Sequence, residues 1–333
     1  MTQRSERTDV AEPGDGSRDE RAAPAPTHQS RDRSADAAVH AMAGVRAATA
    51  AGPDGTPAGF RPGRTLPVRV ELARQLRRRR TQLALGFLAA LPIILWIAFS
   101  VGSTSSNSTR GTSFVDLAKS GASNFVVVSL FFSVGFLLVV VISLFFGDTI
   151  ASEASWSSLR YLLAMPVPRI RLLRQKLLVA AILSLAGLAL LALSGWIVGA
   201  LAYGNGPLSS PIGDQFSGGT AVIRLLLILA YIAVQLTWVA GLAFFLSVST
   251  DAPLGAVGGA VLLSILSQIL DQIPALDTLR NWLPTHYALA WTGALVEPVR
   301  WDDMVRGSFS ALAYAVIFAG LAVWRFRSKD ITS

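Results

Sequence analysis

Cysteine is absent from all 333 residues, which removes disulfides, thiolate metal sites and a cysteine nucleophile from consideration. Charge is scarce as well: Asp, Glu, Lys and Arg make up 15% of the chain, against about a quarter in an ordinary soluble domain. Histidine occurs three times, and two of these, His28 and His40, stand in a polar N-terminal segment. No Gly-x-x-x-x-Gly-Lys-Ser/Thr occurs, so the chain carries no P-loop of its own. The apolar stretches hold no paired carboxylates, no His-containing metal spacing and no Ser/His arrangement. One polar cluster remains, His286 with Asp277, Glu297, Asp302 and Asp303, and its spacing suits ordinary surface polarity rather than a metal or hydrolytic centre. The expectation is therefore no catalytic residue, no metal and no cofactor.

What the chain has in quantity is apolar length. Hydrophobic residues make up 52%, and the mean hydropathy is +0.50. A hydrocarbon core about 30 Å thick requires about 20 helical residues. Six segments meet or approach that length, at about 83–101, 125–147, 177–202, 222–249, 254–272 and 308–324. The last two reach it only with their flanks. Between the fourth and fifth, Asp251-Ala252-Pro253 cannot continue a spanning helix cheaply and reads as a tight turn. The fold class expected is an all-α polytopic membrane protein with six transmembrane helices.

Residues 1–64 carry almost no large apolar side chains and are expected to be disordered, since they bury too little to offset ordering entropy. Residues 65–82 include LPVRVELARQLRRRR, in which Val68, Leu72 and Leu76 recur at helical spacing among arginines. This pattern predicts an amphipathic helix in the membrane interface, its arginines toward anionic lipid headgroups. The formal net charge of +8 has a topological rather than a nucleic-acid explanation, because the basic residues flank apolar runs. Arg69 to Arg80 precede the first span, five basic residues separate spans two and three, and Arg325, Arg327 and Lys329 follow the last. The positive-inside rule then places both termini in the cytoplasm.

Within the spans, the fifth taken as its apolar part 254–270, the one charged residue is Arg224, near an outer end, where snorkelling to the interface is the expected behaviour. A carrier driven by an ion gradient needs ionisable groups at mid-membrane depth, and these spans lack them. Gln235 and Gln268 are the largest uncharged polar side chains in the spans. They are weak candidates for a substrate path, with helix–helix hydrogen bonding as the competing role. The pairs Gly195/Gly199 and Gly255/Gly259 allow close helix approach, and packing inside the bundle is expected ahead of a dimer seam. The connection 271–308, with Trp282, Trp291 and Trp301, reads as short re-entrant or interfacial helices before the sixth span.

One insert is not apolar. Residues 147–176 read GDTIASEASWSSLRYLLAMPVPRIRLLRQK, with Arg160, Arg169, Arg171, Arg174 and Lys176. Such a segment between two spans belongs in water on the basic side, where a cytosolic partner can act on the membrane part. With the six spans, the external NWLPTHYALAW and the ending FRSKDI, this insert resembles the type-two ABC exporter permeases over residues 64–331. Glu153, Leu159, Arg160, Leu162, Leu163, Pro166, Val167, Arg169, Lys176 and Leu177 stand where that family's motif has its counterparts, while Ser157 and Ser158 replace its Gly-Thr. The resemblance implies a permease domain over 83–331, and a cytoplasmic coupling helix between spans 2 and 3 seated on an ATPase subunit. The ATPase-coupling residues it implies are Glu153, Trp156, Leu159, Arg160, Leu162, Leu163, Pro166 and Arg169. The partners implied are two copies of an ABC ATPase, a second permease chain as homodimer or heterodimer, and membrane lipid, with no nucleic acid. Two other classes of function compete: a non-transporting sensor or anchor for an ATPase, and a membrane-embedded enzyme built around His286.

Overall fold

A computed structural model describes residues 68–102, 114–155, 169–210 and 214–328. A short helix, α1 (Val68–Leu76), precedes the long α2 (Arg79–Gly102), and α3 (Phe114–Lys119) leads into α4 (Ala122–Val134) and α5 (Leu137–Ser155). The chain continues as α6 (Arg169–Tyr203), then a two-residue antiparallel pairing of β1 (Leu208–Ser209) with β2 (Gln215–Phe216). It proceeds through α7 (Gly218–Gln235), α8 (Thr237–Ser249) and α9 (Pro253–Asp271). Two 3-10 segments, Pro274–Trp282 and Ala290–Leu295, precede the final α10 (Asp302–Ser328).

Among the described residues, five helical segments are long and apolar enough to cross a membrane: Arg79–Gly102, Arg171–Tyr203, Gly218–Ser249, Pro253–Asp271 and Asp302–Phe326. Their outward surfaces carry exposed Leu83, Phe87, Ile94, Leu226, Leu262 and Phe309, while Asn124, Ser129, Gln235 and Ser264 are buried. That distribution suits lipid as the surrounding solvent and identifies an all-α, membrane-embedded protein. Proline opens α9, as the Asp251-Ala252-Pro253 turn requires.

The stretch expected as one span at 125–147 is instead bent by 60° between α4 and α5. Two hydroxyls weaken the helix just before the bend. Ser129 Oγ donates to the Phe125 carbonyl at 2.8 Å, and Ser133 Oγ donates to the Ser129 carbonyl. Such back-bonding competes with the backbone ladder and bends helices. Gly135 follows, and its carbonyl accepts from Gln268 Nε2 at 2.8 Å across the helix pair. Beyond the bend, α5 begins as an almost wholly apolar run and packs against α6, α8 and α9, burying Leu138, Val139, Ile142, Phe145 and Ile150.

Gly195 and Gly199 face α4 inside the bundle: a Cβ at Gly199 would stand 2.9 Å from the Ala122 Cα. The second pair differs. Gly255 meets only the nearby turn, and Gly259 meets only Leu246. Close approach of α9 to α5 depends on Gly147, whose Cβ would stand 3.2 Å from the Val257 nitrogen.

Arg224 does not snorkel. It is buried, with Nη1 donating to the Ala294 carbonyl at 3.0 Å and the Val296 carbonyl at 3.1 Å. Its Nη2 pairs with Glu297, and its guanidinium lies 4.7 Å from the Phe216 ring centroid. The end of a 3-10 segment leaves carbonyls without intrahelical partners, and a charged donor beneath them satisfies two at once. Arg224 is thus the post that holds the connection 271–308 against α7.

Candidate functional site

One discontinuity lies inside the bundle. The bend at Gly135 faces Leu236, where α7 continues into α8 with its backbone hydrogen bonds intact, across a cavity of about 240 Å³. Its apolar wall includes Phe131, Val139 and Trp238, and its polar wall includes Gln235, Gln268, Gln272 and Thr285. Broken helices in a membrane bundle expose backbone groups that only a polar or watery space tolerates, and ligand sites concentrate there.

The connection before α10 dips into the bundle to close this cavity. Gln235, near the middle of the Gly218–Ser249 segment, donates through Nε2 to the Pro284 carbonyl at 2.7 Å. One turn earlier, the Tyr231 hydroxyl donates to the Tyr287 carbonyl at 2.6 Å. Ser267 and Thr285 hydroxyls share a 2.7 Å hydrogen bond. Irregular backbone thus enters the bundle with its carbonyls satisfied by side chains. Replacing Gln235 by leucine strands the Pro284 carbonyl and is expected to cost about 1–2 kcal/mol. Because the chain is free of cysteine, a single Ala288→Cys reporter reads the effect. Its maleimide labelling should accelerate in the Gln235→Leu background, and equal rates would remove this role for Gln235.

Among the described residues the titratable lining of the cavity is one pair, Asp271 Oδ1 with His286 Nδ1 at 2.6 Å. The His286 ring also meets Tyr287 edge-on at 4.8 Å. Among the described residues no hydroxyl bonds the other ring nitrogen, and no group of three metal-ligating side chains forms. The cavity is equipped to hold a hydroxyl- or amide-bearing amphiphile by hydrogen bonds, with aromatic contact from Trp238.

At the arginine-rich end lies a second assembly. Lys176, at 4% exposure, bonds Glu153 and stands 3.2 Å from Glu71, while Arg74 reaches both carboxylates at 2.8 Å. Arg78 and Arg80 each pair with Asp148 at 3.0 Å. Three of the arginines assigned to lipid headgroups therefore meet protein carboxylates, because the last turns of α5 present Asp148 and Glu153 to them. In the same way α1 buries Glu71 and Gln75, with Val68 and Leu72 beside them, and leaves Leu76 exposed. Glu153 lies in the last turn of α5, and residues 156–168, between α5 and α6, lie outside the described residues.

Burial pushes the Glu71 carboxyl upward, but Arg74, Lys176 and a hydrogen bond from Gln75 overcome it and hold its pKa at about 2. A lowered folded-state pKa means that this contribution is present above about 4.5, the ordinary value, and is lost as pH falls toward 2. The difference in thermal midpoint between the native chain and Glu71→Gln should be constant from neutral pH to about 4.5 and shrink below it. A difference that does not change over that range would contradict the pairing.

Gln235 and Gln268, separated by more than thirty positions in the sequence, thus stand on one cavity. Of the residues assigned to ATPase coupling, Glu153 is buried in the ion network, and Arg169 opens α6. Trp156, Leu159, Arg160, Leu162, Leu163 and Pro166 lie outside the described residues. Asp271, Gln272, Thr285 and Gly135 were missed. A readable signal existed for the first two: Gln268, Asp271 and Gln272 follow i, i+3, i+4 spacing, which puts all three on one helix face. Nothing local to Gly135 or Thr285 marks them.

A family model described as "Protein of unknown function (DUF2705)" matches residues 93–332, which include the whole cavity and both ends of the 156–168 segment. No curated protein matches the chain.

Proposed function

The chain belongs to the DUF2705 family, and from that starting point we propose that it is the membrane-spanning permease subunit of an ABC exporter. In this reading α4 and α5 form one broken span, giving six, with both termini cytoplasmic and the protein in the plasma membrane. The observation that carries the reading is the cavity bordered by the bent α4–α5 segment and capped by the inserted connection. It supplies a polar station inside an apolar bundle, which a translocated solute needs and a plain anchor does not. The chain has no P-loop, so the energy comes from outside it. By resemblance to the type-two exporter permeases, two ATPase subunits supply it, and a second permease chain, identical or sister, completes the pathway.

The 156–168 segment is the contact for the ATPase. The two helices that flank it are paired through Glu153 of α5 and Lys176 of α6, so force on the segment would pass to α5 and α6 as a unit. α5 borders the cavity through Val139. The test is affinity purification of the full chain in mild detergent from its native host. A P-loop ATPase should accompany it, and Leu162→Asp with Leu163→Asp should release that ATPase and abolish solute efflux without affecting membrane insertion. Purification of the chain alone, still active, would sink the proposal. An enzyme centred on Asp271–His286 is less well supported, since among the described residues no nucleophile is placed against the ring.

A further inference from the structure

The arginine-rich end holds a cleft that the transport reading does not use. About 500 Å³ in volume, it lies between α1, the start of α2 and the end of α5. Among the described residues it is lined by Arg74, Arg78, Arg79, Arg80, Asp148, Ser152 and Glu153. Four guanidinium groups meet two carboxylates there, leaving an excess of two positive charges. Three of the arginines are already oriented: Arg74 is held by Glu153 at 2.8 Å, and Arg78 and Arg80 by Asp148 at 3.0 Å. Each guanidinium has five N–H donors, so one bond to a carboxylate leaves others for a ligand. Arg79 makes no ion pair among the described residues. It opens the 24-residue α2, whose first N–H groups and dipole also favour an anion.

We propose that this cleft binds a phosphate-bearing anion, either the headgroup of an anionic phospholipid or a soluble phosphate. Fixed guanidinium forks match phosphate oxygens geometrically, and prior orientation by the carboxylates lowers the entropy lost on binding. The continuation of α2 favours the lipid source. Leu83 and Phe87 follow Arg79 at four-residue spacing, on the same helix face, and both are exposed. A headgroup at Arg79 would lay its acyl chains along that stripe. The site lies largely ahead of the matched residues 93–332, and it requires neither the ATPase nor the transported solute.

The full chain, purified in uncharged detergent, is titrated with phosphatidylglycerol, phosphatidylcholine and inorganic phosphate, and bound species are counted by native mass spectrometry. Phosphatidylglycerol should bind in preference to phosphatidylcholine. Each charge removed should weaken it about fivefold, so that Arg79→Gln with Arg80→Gln loses more than tenfold. Arg79→Gln alone disturbs no ion pair and keeps the test valid if the double variant unfolds. Arg77→Gln, one residue outside the lining, should bind as the native chain does. Competition by inorganic phosphate at matched concentration assigns the site to soluble phosphate, and its failure to compete assigns it to lipid. Equal weakening by Arg77→Gln, or equal binding of phosphatidylcholine, overturns the proposal.

Discussion

Replacing Lys176 by methionine should destabilise the arginine-rich end by about 3 kcal/mol, among the largest effects of any single substitution in this chain. Lys176 is 4% exposed and faces two carboxylates, Glu71 and Glu153. Methionine keeps the stem and removes the charge, so Glu153, at 3% exposure, loses its closest cation. Arg74 still reaches both acids and offsets part of the loss. The second substitution Glu153→Gln removes the stranded charge and should recover most of the stability, since breaking a buried pair costs far more than deleting both partners. A heat-denaturation series on the four proteins of this cycle measures it. If the double variant is no more stable than Lys176→Met, the pair contributes nothing as a pair.

Arg224→Met is the counterpart at the opposite end, with an expected loss of about 2–3 kcal/mol. It leaves the Ala294 and Val296 carbonyls without their charged donor and removes the contact over Phe216. Glu297 is well exposed and rehydrates, which keeps the cost below that of Lys176→Met. Arg224→Lys should fall between, because an ammonium cannot fork to two carbonyls and a carboxylate from one position. The two sites share no partner. The Arg224→Met and Lys176→Met losses should therefore add to within about 0.5 kcal/mol. Protease cleavage within 283–301 should rise in the first variant alone, and unchanged cleavage there would mean that Arg224 does not hold the connection.

Much of this was legible in the sequence because membrane insertion is a local, compositional constraint. About twenty apolar residues in a row satisfy their own backbone as a helix wherever they stand, so the apolar segments and the turn at Pro253 followed directly. Polar side chains inside such segments were legible as exceptions, which is why Gln235 and Gln268 were singled out before either was placed. Their partners were not legible. Gln268 faces the Gly135 carbonyl at the bend between α4 and α5, and Gln235 faces one in the connection before α10; neither pairing leaves a periodicity in the chain.

The basic residues gather at the ends of the apolar segments, as the sequence has them, but their partners differ from those expected. A run of arginines beside a span marks one membrane face by counting alone, but counting does not say whether lipid or protein neutralises each one. Arg74, Arg78 and Arg80 found carboxylates because α5 runs past the expected end of its span and carries Asp148 and Glu153 to them. Arg224 likewise turned toward carbonyls about seventy positions away. Sequence alone determined an all-α, membrane-embedded chain with its basic residues gathered at segment ends, since transfer into lipid is priced residue by residue. Tertiary structure alone decided where the helices break, what the buried charges meet and where the cavity lies, since each of those is settled between side chains distant along the chain.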